Sequence, residues 1–300
     1  MNQFFAQPRR NAVLALFGYL GLAILMTWPA ILRLSTEIVG GHDDLWIHQW
    51  TFWWIKQAIR YGYDIFYTDY LYYPDGVTLT SHNIAWFNIA VWLPLQMVVG
   101  QIPAYGLILI TTFAVNGFAL FLFARRVIKN VWAAFAGGVI FAFWPYTMSH
   151  NDHPNMIVLF WLPLSLLGLT NLVEKQRWRD VVITAFCIAM IGISRWQILI
   201  MSIPLLILYL LLLMWRNWNR RTVKTGNDDW QANKQLVGKL FSTVFLAGLL
   251  MAPLATPLLV YQFTREHPED LAIEEPGENR TDILAYVTPL YTNSLWGDGH

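Results

Sequence analysis

A chain of 300 residues that is 56% hydrophobic and 13% charged, with a mean hydropathy of +0.41, is too apolar for an ordinary soluble domain, whose charged share is about 25%. A net charge of +1 offers no basic footprint for nucleic acid, and the single Cys187, set in an apolar run, rules out an intrachain disulfide or a cysteine-zinc centre as the basis of function. There is no P-loop, G-x-G-x-x-G turn, H-E-x-x-H or G-x-S-x-G, which argues against an ATP-driven pump or a membrane zinc protease.

The first apolar run, Val13 to Leu32, follows Arg9 and Arg10 and is too long for a signal-peptide core, so it predicts an uncleaved anchor with its amino end inside. Beyond it, Gly40 and Gly41 break the chain. His42, Asp43 and Asp44 follow, and residues 44–61 predict an amphipathic interfacial helix. Trp46, Trp50, Trp53 and Trp54 form its oily face, with Lys56 and Arg60 on another. A Tyr-rich stretch with a Pro74-Asp75-Gly76 turn leads to a short apolar segment, 84–99. Further apolar runs cover 104–123, 131–146, 156–172, 181–194, 198–214 and 240–261, with a polar connector between the last two.

Basic residues near span ends stay on the cytoplasmic side. If 84–99 does not cross, 14 of the 20 Lys and Arg fall inside; if it crosses, the loops after it invert and 15 fall outside. The segment therefore predicts an interfacial or re-entrant helix, with Pro94 in its middle. The fold expected is an all-α polytopic membrane protein with about seven transmembrane helices plus interfacial or re-entrant helices in the first external loop, its amino terminus cytoplasmic in the plasma (inner) membrane. This assignment places all seven His and 15 of 19 acidic residues outside, so the functional face is external.

Three groups on that face can carry chemistry. Asp43 and Asp44 open a helix at the lipid-water boundary, where they can hold a divalent cation such as Mg or Mn or provide a base; capping and dipole complementation explain them equally well. His48 lies one turn on from Asp44. In Ser149-His150-Asn151-Asp152-His153-Pro154, His150, Asp152 and His153 are metal-competent, although the spacing matches no zinc signature and Pro154 suits the first turn of a helix. Arg195 ends a short span and either snorkels or meets an anion such as a lipid phosphate. The acidic stretch from Glu266 to Glu278 predicts a solvated loop, and Asn279-Arg280-Thr281 fits a glycosylation sequon.

Gly41-His42-Asp43-Asp44-Leu45-Trp46-Ile47-His48, then Phe66-Tyr67-Thr68-Asp69, Tyr73-Pro74-Asp75-Gly76, Phe141-Ala142-Phe143-Trp144-Pro145-Tyr146, His150, His153 and Trp178-Arg179-Asp180 together resemble bacterial integral membrane glycosyltransferases of the GT-C superfamily. The resemblance implies a polyprenyl-phosphate-linked sugar donor, an external active site and an inverting hexosyl transfer. It also implies a catalytic or metal-binding aspartate in the first external loop, which maps onto Asp44 or Asp43. Such enzymes have more than seven spans, so the polar ending Trp296-Gly297-Asp298-Gly299-His300 suggests the amino-terminal part of a longer chain, one that need not be active alone. The expected partners are the lipid-linked donor and membrane lipids, with Arg195 at the donor phosphate. A transporter or flippase for a lipid-linked or polar solute, or a non-catalytic assembly component, are the alternatives. The absence of charge from the span cores argues against transport.

Overall fold

The computed structural model describes residues 8–40, 43–82, 84–221 and 228–264. The expected tail loop, the sequon and the polar ending lie outside these residues, as does His42. The chain divides into a unit over Met1–Leu258 and a second over Leu259–His300. Among the described residues the fold is helical apart from one small hairpin, as an all-α polytopic membrane protein requires.

Among the described residues, five stretches are long and apolar enough to cross a membrane: Arg9–Met26, Gln101–Ile128, Val131–Ser149, Trp196–Asn217 and Asn233–Thr264. They correspond to α1 (Pro8–Met26), α5 (Gln101–Ile128), α6 with α7 (Val131–Phe143 and Pro145–Ser149), α10 (Trp196–Arg221) and α11 (Asp228–Thr264). The first run stops earlier than its hydropathy suggests, because Pro29 separates α1 from a one-turn α2 (Ala30–Arg33). Two other expected spans form shorter helices, α8 (Trp161–Lys175) and α9 (Trp178–Ser194).

α8 begins five residues later than its apolar run, and Pro154 does not open it. Residues 156–160 are instead irregular, and two buried asparagines on other helices hold this stretch and its approach. Asn116 of α5 donates to the Ile157 carbonyl at 2.8 Å and accepts from the Leu159 amide at 3.2 Å. Asn88 of α4 (Trp86–Val99) donates to the Pro154 carbonyl at 3.1 Å. Non-helical backbone among apolar helices is stable only when protein groups replace the missing water.

α5 packs against α1, α4, α6 and α8. Tyr19 of α1 fills space left by Gly117 and Gly138 and donates to the Phe135 carbonyl at 2.9 Å. At one end of this bundle Glu174 pairs with both Arg126 and Arg216, the latter at 3.2 Å, so the ends of α5, α8 and α10 converge there. At the other end Arg195 reaches Asn155. α8 and α9 thus link the same two ends as the longer helices.

α3 (Asp43–Tyr61) packs on the bundle rather than lying free. Phe52 sits edge-on to Trp92 of α4 and Tyr105 of α5, and Leu45, His48 and Ile55 are buried with it. The expected tryptophan face is split. Trp54 is buried beneath Tyr63 and Tyr70 of the loop that folds back over it, whereas Trp46 stays exposed. That loop carries the hairpin of β1 (Tyr67–Thr68) and β2 (Val77–Thr78), antiparallel with Tyr67 opposite Thr78. Gly76 closes it at φ +70, where an added Cβ would collide with the Tyr67 ring.

Candidate active site

Two loops far apart in sequence meet at the end of the bundle opposite Glu174. The approach depends on Gly40, whose φ of +146 suits glycine and whose missing side chain leaves room for the Asn151 carbonyl, 3.3 Å from where a Cβ would stand. Three residues beyond it α3 starts at Asp43, so Asp44 lies in its first turn, where the helix dipole favours a carboxylate. The side chain of Asp43 lies outside the described residues.

His153 joins the loops. Its Nε2 is 2.5 Å from Asp44 Oδ2 and its Nδ1 is 2.8 Å from Asp152 Oδ1. Two ionised carboxylates can only accept, so either both ring nitrogens donate and His153 is an imidazolium, or one carboxyl carries a proton. Asp44 is half-exposed, with 48% of its side chain open to solvent, while Asp152 and His153 are more enclosed. A proton arriving at Asp44 therefore has a hydrogen-bonded path to His153 and Asp152.

Arg195, between α9 and α10, lies close enough to Asp44 for their charges to interact. Its guanidinium is held from two sides: Nη2 and Nε donate to Gln197 Oε1 at 3.1 and 3.3 Å, and Nη1 to Asn155 Oδ1 at 3.4 Å. Partial burial makes its charged form more costly, but an arginine stays cationic at any pH the protein meets. Tyr146 adjoins it and stacks on His150, with ring centroids 4.3 Å apart.

His48, a turn along α3 from Asp44, is buried edge-on to His153, and its Nδ1 has no hydrogen-bond partner among the described residues. Burial, with the nearby His153, His82 and Arg195, pushes its pKa down to about 4 despite the opposing pull of Asp44, so it is neutral at pH 7. His82 is lowered by burial too, and its Nε2 lies 3.3 Å from Thr51 Oγ1 on α3.

The residues expected to bind a cation, Asp44, Asp152, His150 and His153, come together in space. His153 uses both nitrogens on carboxylates, and His150 donates from Nδ1 to the Tyr146 carbonyl at 2.8 Å. Among the described residues no three His, Cys, Asp or Glu are placed to hold an ion. The sequence expectation did reach Asp44, Asp152, His153 and Arg195, which the structure brings to one place. It missed the orienting residues Gln197 and Asn155, and also His82. Only Gln197, two positions from Arg195, lies within local reach of it.

Residues 85–226 match the family model described as Dolichyl-phosphate-mannose-protein mannosyltransferase, a family of the GT-C superfamily. The match takes in just under half of the chain, including His150, Asp152, His153 and Arg195 but not Asp44. No curated protein and no solved structure matches the chain.

Proposed function

We propose, taking as premise the likeness of residues 85–226 to this mannosyltransferase family, that the protein is a membrane glycosyltransferase using a polyprenyl-phosphate sugar donor. The acceptor hydroxyl is presented on the external face of a plasma (inner) membrane, with the amino terminus cytoplasmic, as the distribution of Lys and Arg favours. The observation that carries this reading is the joining of Asp44, through His153, to Asp152 beside the oriented Arg195.

Asp44 takes the acceptor's hydroxyl proton as that oxygen attacks the anomeric carbon from the face opposite the phosphate. The anomeric C–O bond breaks, its electrons pass to the phosphate, and Arg195 meets the charge gathering there with a planar fork that matches two phosphate oxygens. His153, held by Asp152, keeps Asp44 oriented and spreads the incoming proton. An apolar groove of about 500 Å³, lined by Ile140, Phe141, Leu159, Leu162 and Leu205 and also by Tyr146, which interacts with Arg195, suits an isoprenyl tail. No step in this scheme requires a cation.

The test is transfer of labelled mannose or glucose from a polyprenyl phosphate by vesicles carrying the full-length protein. Wild-type protein should transfer label to a hydroxyl acceptor, and Asp44→Asn should be slower by about 10² to 10⁴-fold while inserting normally. Equal turnover by both, or no transfer by the wild type from any donor, would overturn the proposal.

A further inference from the structure

α3 presents a second working face. Asp44, His48 and Thr51 point to the site just described, while Trp46 and Trp50 line a separate cleft of about 570 Å³ closed on its other side by Leu71, Tyr72, Val77 and Ser81. That volume lies within the range of small-molecule sites, roughly 300 to 1,000 Å³. We propose that this cleft is a saccharide subsite, and that the acceptor of the transfer is a carbohydrate whose rings lie against Trp46 and Tyr72. The inference rests on the transferase reading and specifies its acceptor.

The lining has the two chemistries a sugar needs. A pyranose offers an apolar C–H face and a rim of hydroxyls. Trp46 and Tyr72 are 63% and 79% exposed, and an aromatic face attracts the weakly positive C–H hydrogens. Trp50, which also lines the cleft, is held by stacking on Trp54, with centroids 6.1 Å apart and planes 6° from parallel. Thr78, Ser81 and His82 supply hydroxyl and imidazole groups at the rim. A neutral imidazole both donates and accepts, as a hydroxyl does.

Position supports the assignment. Ser81 and His82 also line a neighbouring cavity of about 200 Å³ bounded by Ser194, Arg195 and Gln197. The aromatic cleft and the cavity holding the proposed phosphate-binding arginine therefore share a wall. At 1.5 Å per residue, Trp50 is only about 9 Å along the axis of α3 from Asp44. A sugar chain seated on the platform can extend its terminal hydroxyl toward the carboxylate. A patch serving only to anchor α3 in the membrane interface would have no use for a concave shape or for polar groups such as Ser81 and His82 in its lining.

Saturation-transfer NMR on the full chain in detergent, with maltotriose, mannotriose and chitotriose as probes, tests this directly. Wild-type protein should bind at least one trisaccharide through its ring C–H protons, and Asp44→Asn should bind it equally well. Trp46→Ala and Tyr72→Ala should each weaken binding by about tenfold or more, while Tyr72→Phe retains most of it. Both rings are exposed, so melting temperatures should stay close to wild type. If no trisaccharide binds, or if Trp46→Ala binds as well as wild type, the subsite is refuted and the rings belong to the membrane interface. Saccharide binding that survives in a protein showing no transfer from any lipid-linked donor would uphold the subsite and reject the transferase reading.

Discussion

His153 Nε2 stands 2.5 Å from Asp44 Oδ2, linking two residues 109 positions apart, and the same ring holds Asp152 through Nδ1. One imidazole thus ties the start of α3 to the turn before α8. Removing it should cost catalysis through orientation rather than binding. His153→Gln should lower kcat by about tenfold to a hundredfold with donor KM little changed. Because His153 acts through Asp44, the double variant Asp44→Asn/His153→Gln should be no slower than Asp44→Asn alone. Additive losses in steady-state kinetics would mean that the two act separately.

Arg195 carries a prediction about chemistry beyond charge. Lysine keeps the charge but cannot reproduce the fork that Gln197 and Asn155 orient. Arg195→Lys should therefore raise the apparent KM for the lipid-linked donor by about tenfold, with acceptor dependence unchanged. Gln197→Ala should shift it in the same direction by less. A residue that only snorkels would tolerate lysine, and unchanged donor kinetics in both variants would remove Arg195 from the site.

Acid should weaken the fold through His48. Its pKa is about 4 in the folded protein against an ordinary 6.5, so between these values the unfolded chain takes up a proton that the folded chain refuses. Stability from this group is complete above pH 6.5, falls as pH drops toward 4, and is then level; the total is about 3 kcal/mol. Melting in detergent at successive pH values should show this loss. His48→Gln removes the titration and should flatten the curve over the same window, although carboxylates elsewhere still respond below it.

The convergence of Arg126, Glu174 and Arg216 at one end and of Asp44, His153 and Arg195 at the other gives a topological prediction. With Cys187 replaced by serine, a cysteine at Ser81 should react with an impermeant thiol reagent in intact cells. A cysteine at Lys129, beside the Arg126 end, should react only after the membrane is opened. Labelling of both from outside would contradict the predicted cytoplasmic amino terminus.

Hydropathy locates the helices because burying apolar side chains dominates their placement, and Asp44 and Arg195 stand out because charge at a lipid boundary demands a reason. Local pattern does not extend to their partners. The link from Asp44 to Asp152 depends on a long-range approach made possible at Gly40, and the burial of Trp54 depends on Tyr63 and Tyr70 folding back over α3. The start of α8 is displaced for the same reason. Met156 to Phe160 look helical by composition, yet Asn116, 41 positions before Ile157, offers their backbone an alternative set of hydrogen bonds.

Asn116 therefore provides the sharpest test of how the site is held. It is fully buried in α5, and its amide serves both the Ile157 carbonyl and the Leu159 amide, in the strand of chain that leads directly from His153 into α8. Asn116→Leu fills a similar volume but leaves both backbone groups without a partner, at about 1 to 3 kcal/mol for each. Thr112→Val, one turn away, is the control. The Thr112 hydroxyl bonds the Ile108 carbonyl of its own helix, so its loss should cost about 1 kcal/mol or less. Thermal melting in detergent should rank Asn116→Leu well below Thr112→Val. Transfer by the surviving folded Asn116→Leu protein should be slowed as well, since residues 156–160 set where Asp152 and His153 stand. Equal melting of the two variants would show that the irregular stretch is held by packing alone, and normal turnover would detach it from the geometry of Asp44.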